Sequence, residues 1–284
     1  MRRRWPVLAA TIPLVFGWTL AVAYPAAAHT GVAGPGGLVQ PGGPVSQLGL
    51  AGGGTQVGAW ASPTGTAPQA AGGGRYTAVS SSNWAGYAAT GGSGAFTSVA
   101  SSWVQSAGHC SGGNQYAAFW VGLDGYSSST VEQTGSEVDC AGRTPSYYAW
   151  YEVYPGTAVN FPNPVKAGDH FSGAVSYLGS NQFRLTLTDS TAGWTQTINA
   201  TLPGAARSSA EVIAEAPCCT ASGGILPLAN FGTVNFSNAT ANGSAIGNSS
   251  PVQIDMIDNS GRLKDQTSAL SGGGSFSDTW LRSY

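Results

Sequence analysis

An all-β chain folded as an antiparallel β-sandwich is what this sequence predicts, and three observations carry the prediction. Apolar and aromatic residues alternate with period 2 over many short runs, Gly, Ser and Asn clusters separate those runs, and no segment keeps a helical period over about ten residues. Composition adds that the 284 residues include 42 glycines and nine tryptophans, with only 8% Asp, Glu, Lys or Arg, against about 25% in an ordinary soluble domain. Hydroxyls and backbone must therefore solvate most of the surface. Protonating the carboxylates of such a chain adds little self-repulsion, which suits an acidic milieu. Pattern and composition leave sandwich and barrel undistinguished.

Residues 1–28 read as a secretory signal: Arg2, Arg3 and Arg4, an apolar stretch around Val7–Val22, then Ala26-Ala27-Ala28 as a small-residue cleavage site. No later stretch approaches the roughly 18 apolar residues of a membrane helix, so an exported protein without a membrane anchor after processing is expected. Residues 29–75 are rich in Gly, Pro, Ala and Thr and lack periodicity, the composition of a propeptide or linker. The folded domain is assigned to 76–284, with a mature N-terminus near Tyr76–Ser82. It carries seven basic residues, the chain's 11 less Arg2, Arg3, Arg4 and Arg75, against 13 acidic ones, a formal charge of −6. A basic patch for nucleic acid is thereby excluded.

The predicted strands run in order: Ser82–Ala89, Thr97–Val104, Tyr116–Leu123, Val131–Glu137 and Tyr147–Tyr154. Phe171–Leu178, Phe183–Thr188, Trp194–Leu202, Ala210–Ala216, Phe231–Phe236, Val252–Ile257, Gln266–Leu270 and Ser275–Leu281 follow. Asp124-Gly125 ends Tyr116–Leu123 with a hairpin signal. Period 2 places Val131, Gln133 and Gly135 on one face of a strand, and Trp150, Glu152 and Tyr154 on one face of another. In Ala210–Ala216 it gathers Glu211, Ile213 and Glu215. Four cysteines allow three pairings. The favoured one joins Cys110 to Cys140, leaving Cys218-Cys219 as a vicinal disulfide or two thiols; the set lacks the CxxC spacing of a structural zinc site.

Several chemistries drop out. The sequence holds no GxSxG elbow, no HExxH and no Asp-Thr/Ser-Gly pair, and its three histidines, His29, His109 and His170, fall in the discarded segment or at expected turns. What remains is carboxylates and carboxamides among apolar neighbours, where they are costly unless hydrogen-bonded. Cross-strand bonding in a β core, or a solvent-facing stripe for Glu211 and Glu215, would account for them. So would a cleft. Spacing does not choose between Glu211 and Glu215.

The blocks VGLDG, VEQTG, AWYEVYP, SSAEVIAEAP and LANFGTVNF, kept in that order between about Ser81 and Phe236, closely resemble the glutamic peptidases (eqolisins), in particular their bacterial secreted members. The resemblance implies two large curved sheets in a lectin-like jelly roll with a cleft on one face. It also implies an extracellular, cofactor-free and metal-free endopeptidase, a monomer acting on polypeptides in acid. Its catalytic glutamate is the second of the pair, Glu215, and its catalytic glutamine is Gln133. A glutamate can take a proton from water and return it to the leaving nitrogen, and a carboxamide can donate to the oxyanion at any pH. By the same resemblance Trp84, Trp120, Asp124 and Glu152 line the cleft. Asp124 and Glu152 would orient Glu215 and tune its acidity, and a preference for acid implies either that influences lowering its pKa prevail or that these neighbours are protonated when the enzyme works. The tryptophans would hold substrate side chains, with core packing as the alternative for Trp120. Glu137 and Asp139 receive no role. Two rival readings use the same residues: a glycoside hydrolase with Glu152 and Glu215 as its carboxylates, and a non-catalytic carbohydrate-binding module.

Overall fold

Alternation at this density leaves the chain one economical way to bury its apolar faces, which is strand against strand in two layers. The computed structural model describes residues 76–217 and 225–284, and it shows sixteen strands among them. They are β1 (Thr77–Ser81), β2 (Trp84–Thr90), β3 (Ser98–Val104), β4 (Asn114–Leu123), β5 (Val131–Ala141), β6 (Thr144–Tyr154), β7 (Val159–Asn160) and β8 (His170–Gly179). β9 (Gln182–Asp189), β10 (Trp194–Thr201), β11 (Ser209–Glu215), β12 (Thr233–Ala241), β13 (Ser244–Ala245), β14 (Val252–Ile257), β15 (Leu263–Thr267) and β16 (Phe276–Trp280) complete the set. The expected signal sequence, the Gly/Pro-rich segment and Cys218-Cys219 lie outside the described residues.

Hydrogen bonding runs in the order β10-β9-β8-β3-β12-β16-β15-β14-β2-β11-β4-β5-β6-β7. This continuous sheet folds over, so that β3, β8 and β9 pack against β4, β5 and β11. The core between the layers takes Phe119, Val121, Val138 and Val212 from one side and Trp103, Phe171, Val175, Phe183, Leu185 and Phe236 from the other. Burying each such side chain contributes about 1.5–3 kcal/mol against exposure. Gly173 has no Cβ because one would meet Trp103 and Val121 at 3.0 Å.

Expected and observed strands differ where polar residues blur the alternation. β1 has no counterpart among the expected strands: its Thr-Ala-Val-Ser-Ser run buries only Ser81 and pairs in parallel with β14. β5 extends to Ala141 because Ser136, Glu137 and Asp139 sit in an unbroken ladder with β4 and β6. β15 lies at Leu263–Thr267 rather than Gln266–Leu270, its pattern masked by Lys264, Asp265 and Gln266. The Cys110–Cys140 disulfide is present. It ties the segment ahead of β4 to the end of β5, and a loop of 30 residues closed in this way stabilises the fold by roughly 3–4 kcal/mol.

Candidate active site

Five neighbouring strands, β2, β11, β4, β5 and β6, present three parallel rows of side chains on the face turned away from the main core. Their register builds one row from Ala88, Glu211, Gly122, Gln133 and Glu152. The next holds Gly86, Ile213, Trp120, Gly135 and Trp150, and the third Trp84, Glu215, Ala118, Glu137 and Tyr148. Two polar rows thus flank an aromatic one. Trp84, Trp120, Trp150, Ile213 and Ile254 form a second, smaller apolar cluster on this face.

Glycine makes the central row possible. A Cβ on Gly135 would stand 2.6 Å from Trp120 Cβ and 2.3 Å from the Phe119 carbonyl oxygen, and one on Gly122 would stand 2.9 Å from Trp120 Cζ3. Without those atoms the Trp120 indole lies along the sheet, and its Nε1–H donates to Glu215 Oε2 at 2.8 Å. Trp84 meets the Trp120 ring edge-on, with centroids 5.0 Å apart. The other Glu215 oxygen, Oε1, accepts from Asn83 Nδ2 at 3.1 Å. Gln133 Nε2 donates to Glu152 Oε2 at 2.7 Å. Trp120, Gln133, Glu152 and Glu215 are all at most 2% exposed.

Burial dominates the electrostatics. It pushes Glu215 up to about 8; the charge of Glu152 adds to this, while the Trp120, Trp84 and Asn83 N–H groups oppose it. Glu152 also rises to about 8 through burial, against the bond from Gln133. Of the two alternatives expected at Glu215, prevailing lowering influences are corrected, since its donors stabilise the carboxylate by less than the loss of water destabilises it. A Glu152 raised to about 8 fits the other, a protonated neighbour.

Asp124 stands elsewhere. Its backbone N–H bonds the Ser209 carbonyl at the start of β11, six residues from Glu215, and its carboxylate accepts from the Arg207 and Ser208 amides at 2.6 and 2.9 Å. It fastens the turn entering β11 rather than orienting Glu215. Glu211, fully buried in the Gln133 row, is no solvent-facing stripe. Trp84, Trp120 and Glu215 are thus in one contact group, Gln133 and Glu152 form a second pair on the same face, and Asp124 bonds the turn entering β11.

The sequence reading passed over four residues of this face. Glu137 continues the Gln133-Gly135 alternation and faces Glu215 across Ala118; period 2 was the signal for it. Fully buried, it is driven well above the usual carboxylate range by burial and by Asp139. Asp139 accepts from the Tyr148 hydroxyl and is raised to about 6, chiefly by burial. Trp150 and Asn83 flank named residues and carried no separate signal.

A family model described as the Peptidase A4 family matches residues 82–278. Aspergillopepsin-2 of Aspergillus niger is 31% identical over 159 residues, 54% of this chain and 55% of that protein, so the chain spans about half the length of this curated relative. The crystal structure of scytalido-glutamic peptidase with a transition state analog inhibitor shares the fold at a TM-score of 0.59, with 24% identity over 70% of this chain and 98% of that one. Aspergilloglutamic peptidase from Aspergillus niger gives a TM-score of 0.50 and 26% identity, covering 59% and 99% of the two chains.

Proposed function

Because this chain belongs to the Peptidase A4 family, we propose that it is a secreted glutamic endopeptidase that cleaves polypeptides in acid without a covalent intermediate. The observation that carries the reading is Glu215, a buried carboxylate with each oxygen held by one donor, on the same sheet face as the Gln133–Glu152 pair. In this reading a water oxygen attacks the peptide carbonyl and one of its protons passes to Glu215. The tetrahedral oxyanion takes a hydrogen bond from the Gln133 carboxamide, whose Nε2 carries a second hydrogen beyond the one given to Glu152. Glu215 then delivers its proton to the leaving nitrogen as the C–N bond breaks.

A raised pKa makes Glu215 a stronger base and leaves less of it ionised in acid. The base must be ionised to act, so work in acid requires the N–H donors on Glu215 to outweigh burial once substrate is bound. Activity falls on the acid side as Glu215 protonates. On the neutral side it falls as the buried carboxyls ionise and loosen the fold, and the acid preference follows from that second limit. Trp84 and Trp120, packed edge-on in the same cluster, would contact substrate side chains.

Denatured protein and a panel of polysaccharides, offered to purified protein between about pH 2 and 7, bracketing carboxylate titration, test the reading. New peptide termini and intact sugars are expected. Sugar cleavage without proteolysis would move Glu152 and Glu215 to a glycosidase, and silence on both would leave a binding module.

A further inference from the structure

The amide of Asn83 faces Glu215 for a reason that lies one turn upstream. Ser81 Oγ accepts from two backbone N–H groups, Asn83 at 3.3 Å and Trp84 at 3.2 Å. Its single proton is left for Asn83 Oδ1, at 3.2 Å. A carboxamide whose oxygen is occupied in this way must turn its NH₂ the other way, and that NH₂ meets Glu215 Oε1. All three residues are at most 3% exposed, so water does not substitute readily. The Asn83 carbonyl also accepts from the Ala216 N–H, which locks the backbone of the two segments together beside the carboxylate.

We propose that Ser81 and Asn83 are positioning residues: the Ser81 hydroxyl fixes the Asn83 amide so that Glu215 always meets a donor and can exist as a carboxylate. This inference rests on the peptidase reading for its purpose and not for its geometry. The other groups facing Glu215 are the Trp84 and Trp120 indoles, Glu152 on β6, and Glu137 on β5, itself beside Asp139 and Tyr148. Asn83 alone is in hydrogen-bonding contact with Oε1, Trp120 being on Oε2, while the Trp84 N–H lies near the carboxylate without a bond of its own. Ser81 ends β1, so a mature chain trimmed beyond Ser81 would lack the relay.

The five glutamates of the chain can be labelled with ¹³C at the carboxyl carbon, and the Glu215 signal assigned by its loss in Glu215→Gln. Its titration is then followed in the parent, Ser81→Ala, Ser81→Thr and Asn83→Ala proteins. Ser81→Ala should raise the Glu215 midpoint by about one pH unit, the scale of one charge-assisted hydrogen bond. Ser81→Thr, which keeps the hydroxyl, should restore it, and Asn83→Ala should raise it at least as far and stands in if Ser81→Ala does not fold. On a peptide substrate the acid limb of kcat should move with the midpoint while KM stays within about twofold. Superimposable titrations, or equal shifts in Ser81→Ala and Ser81→Thr, overturn the relay. A shift restored by threonine in a protein that hydrolyses no peptide supports the relay and counts against the peptidase reading alone.

Discussion

The two polar rows of the site face are built alike and placed differently. In one, Glu211 and Gln133 face each other across Gly122; in the other, Glu215 and Glu137 face each other across Ala118. Both glutamates of β11 are buried, and both are pushed upward chiefly by burial. What separates them is their partners. Glu215 is gripped by an indole and a carboxamide, whereas Glu211 has only the Ser209 hydroxyl and the Tyr126 backbone near enough to lower its pKa, neither in hydrogen-bonding contact. A base must hold a negative charge at some point in its cycle, and of the two β11 glutamates only Glu215 has donors in hydrogen-bonding contact. Register alone would have chosen Glu211, which lies in line with Gln133.

The sharpest way to break this comparison is to remove each base in turn. Glu215→Gln keeps the shape and abolishes proton transfer, and hydrolysis should fall by the order of 10³–10⁴-fold while circular dichroism and the melting transition persist. Glu211→Gln should cost less than about tenfold on the same scale. A dead Glu211→Gln beside an active Glu215→Gln would exchange the two rows. Next in size is Gln133→Ala, which removes one oxyanion donor and should lower kcat by on the order of 10²–10³ with little change in KM. A KM effect without a kcat effect would reduce Gln133 to a ground-state contact.

Both rows share one liability, and pH exposes it. Burial raises Glu132 to about 9, Glu152, Glu215 and Asp265 to about 8, and Asp139 to about 6. Asp265 belongs to a separate buried pair with Asp278 between β15 and β16. A carboxyl whose folded pKa lies above its unfolded one contributes stability that is whole below the unfolded value, near 4. It is lost as pH climbs through the folded value. Thermal midpoints should therefore be highest below about pH 4 and decline from there to about pH 8, flattening above it. A melting temperature that rose over that interval would contradict the burial on which the site description rests.

How much of this was legible in the sequence depends on what each residue had to reveal. Clean alternation, as in Phe171-Gly173-Val175-Tyr177, describes a strand with one face in the core, and β8, β9 and β10 were found where the pattern placed them. β4, β5 and β11 are buried on both faces, so alternation still told which residues share a face but no longer which face meets water. That is why Glu211 and Glu215 could be read as a surface stripe. The matched motifs supplied Gln133, Glu152 and Glu215. They could not supply Asn83 or Glu137, whose parts depend on a neighbour 132 residues away in the first case and on cross-strand register in the second. Asp124 bonds the turn rather than Glu215 for a related reason: a motif fixes a residue in the chain, whereas the curl of β4 into the 124–130 loop decides which end of β11 it meets.

Asp124 also gives the smallest of the expected effects on catalysis. Its carboxylate satisfies the Arg207 and Ser208 amides and the Ser208 hydroxyl, and its backbone φ of 67° is a left-handed value that Asn tolerates nearly as well as Asp. Asp124→Asn should therefore fold, keep one acceptor oxygen for the turn, and lose the charge that strengthens its bonds. One of the two amides then faces the new NH₂ and is left unpaired, at about 1–3 kcal/mol, and the other bond weakens from charged to neutral, so a loss of roughly 2–4 kcal/mol in unfolding free energy is expected, read from urea denaturation. The acid limb of the pH–activity profile should stay where it is, because the lost charge lies at the opposite end of β11 from Glu215. A limb that moved by half a unit or more with stability unchanged would bring Asp124 back into the Glu215 row, and with it the cleft arrangement that the motifs implied.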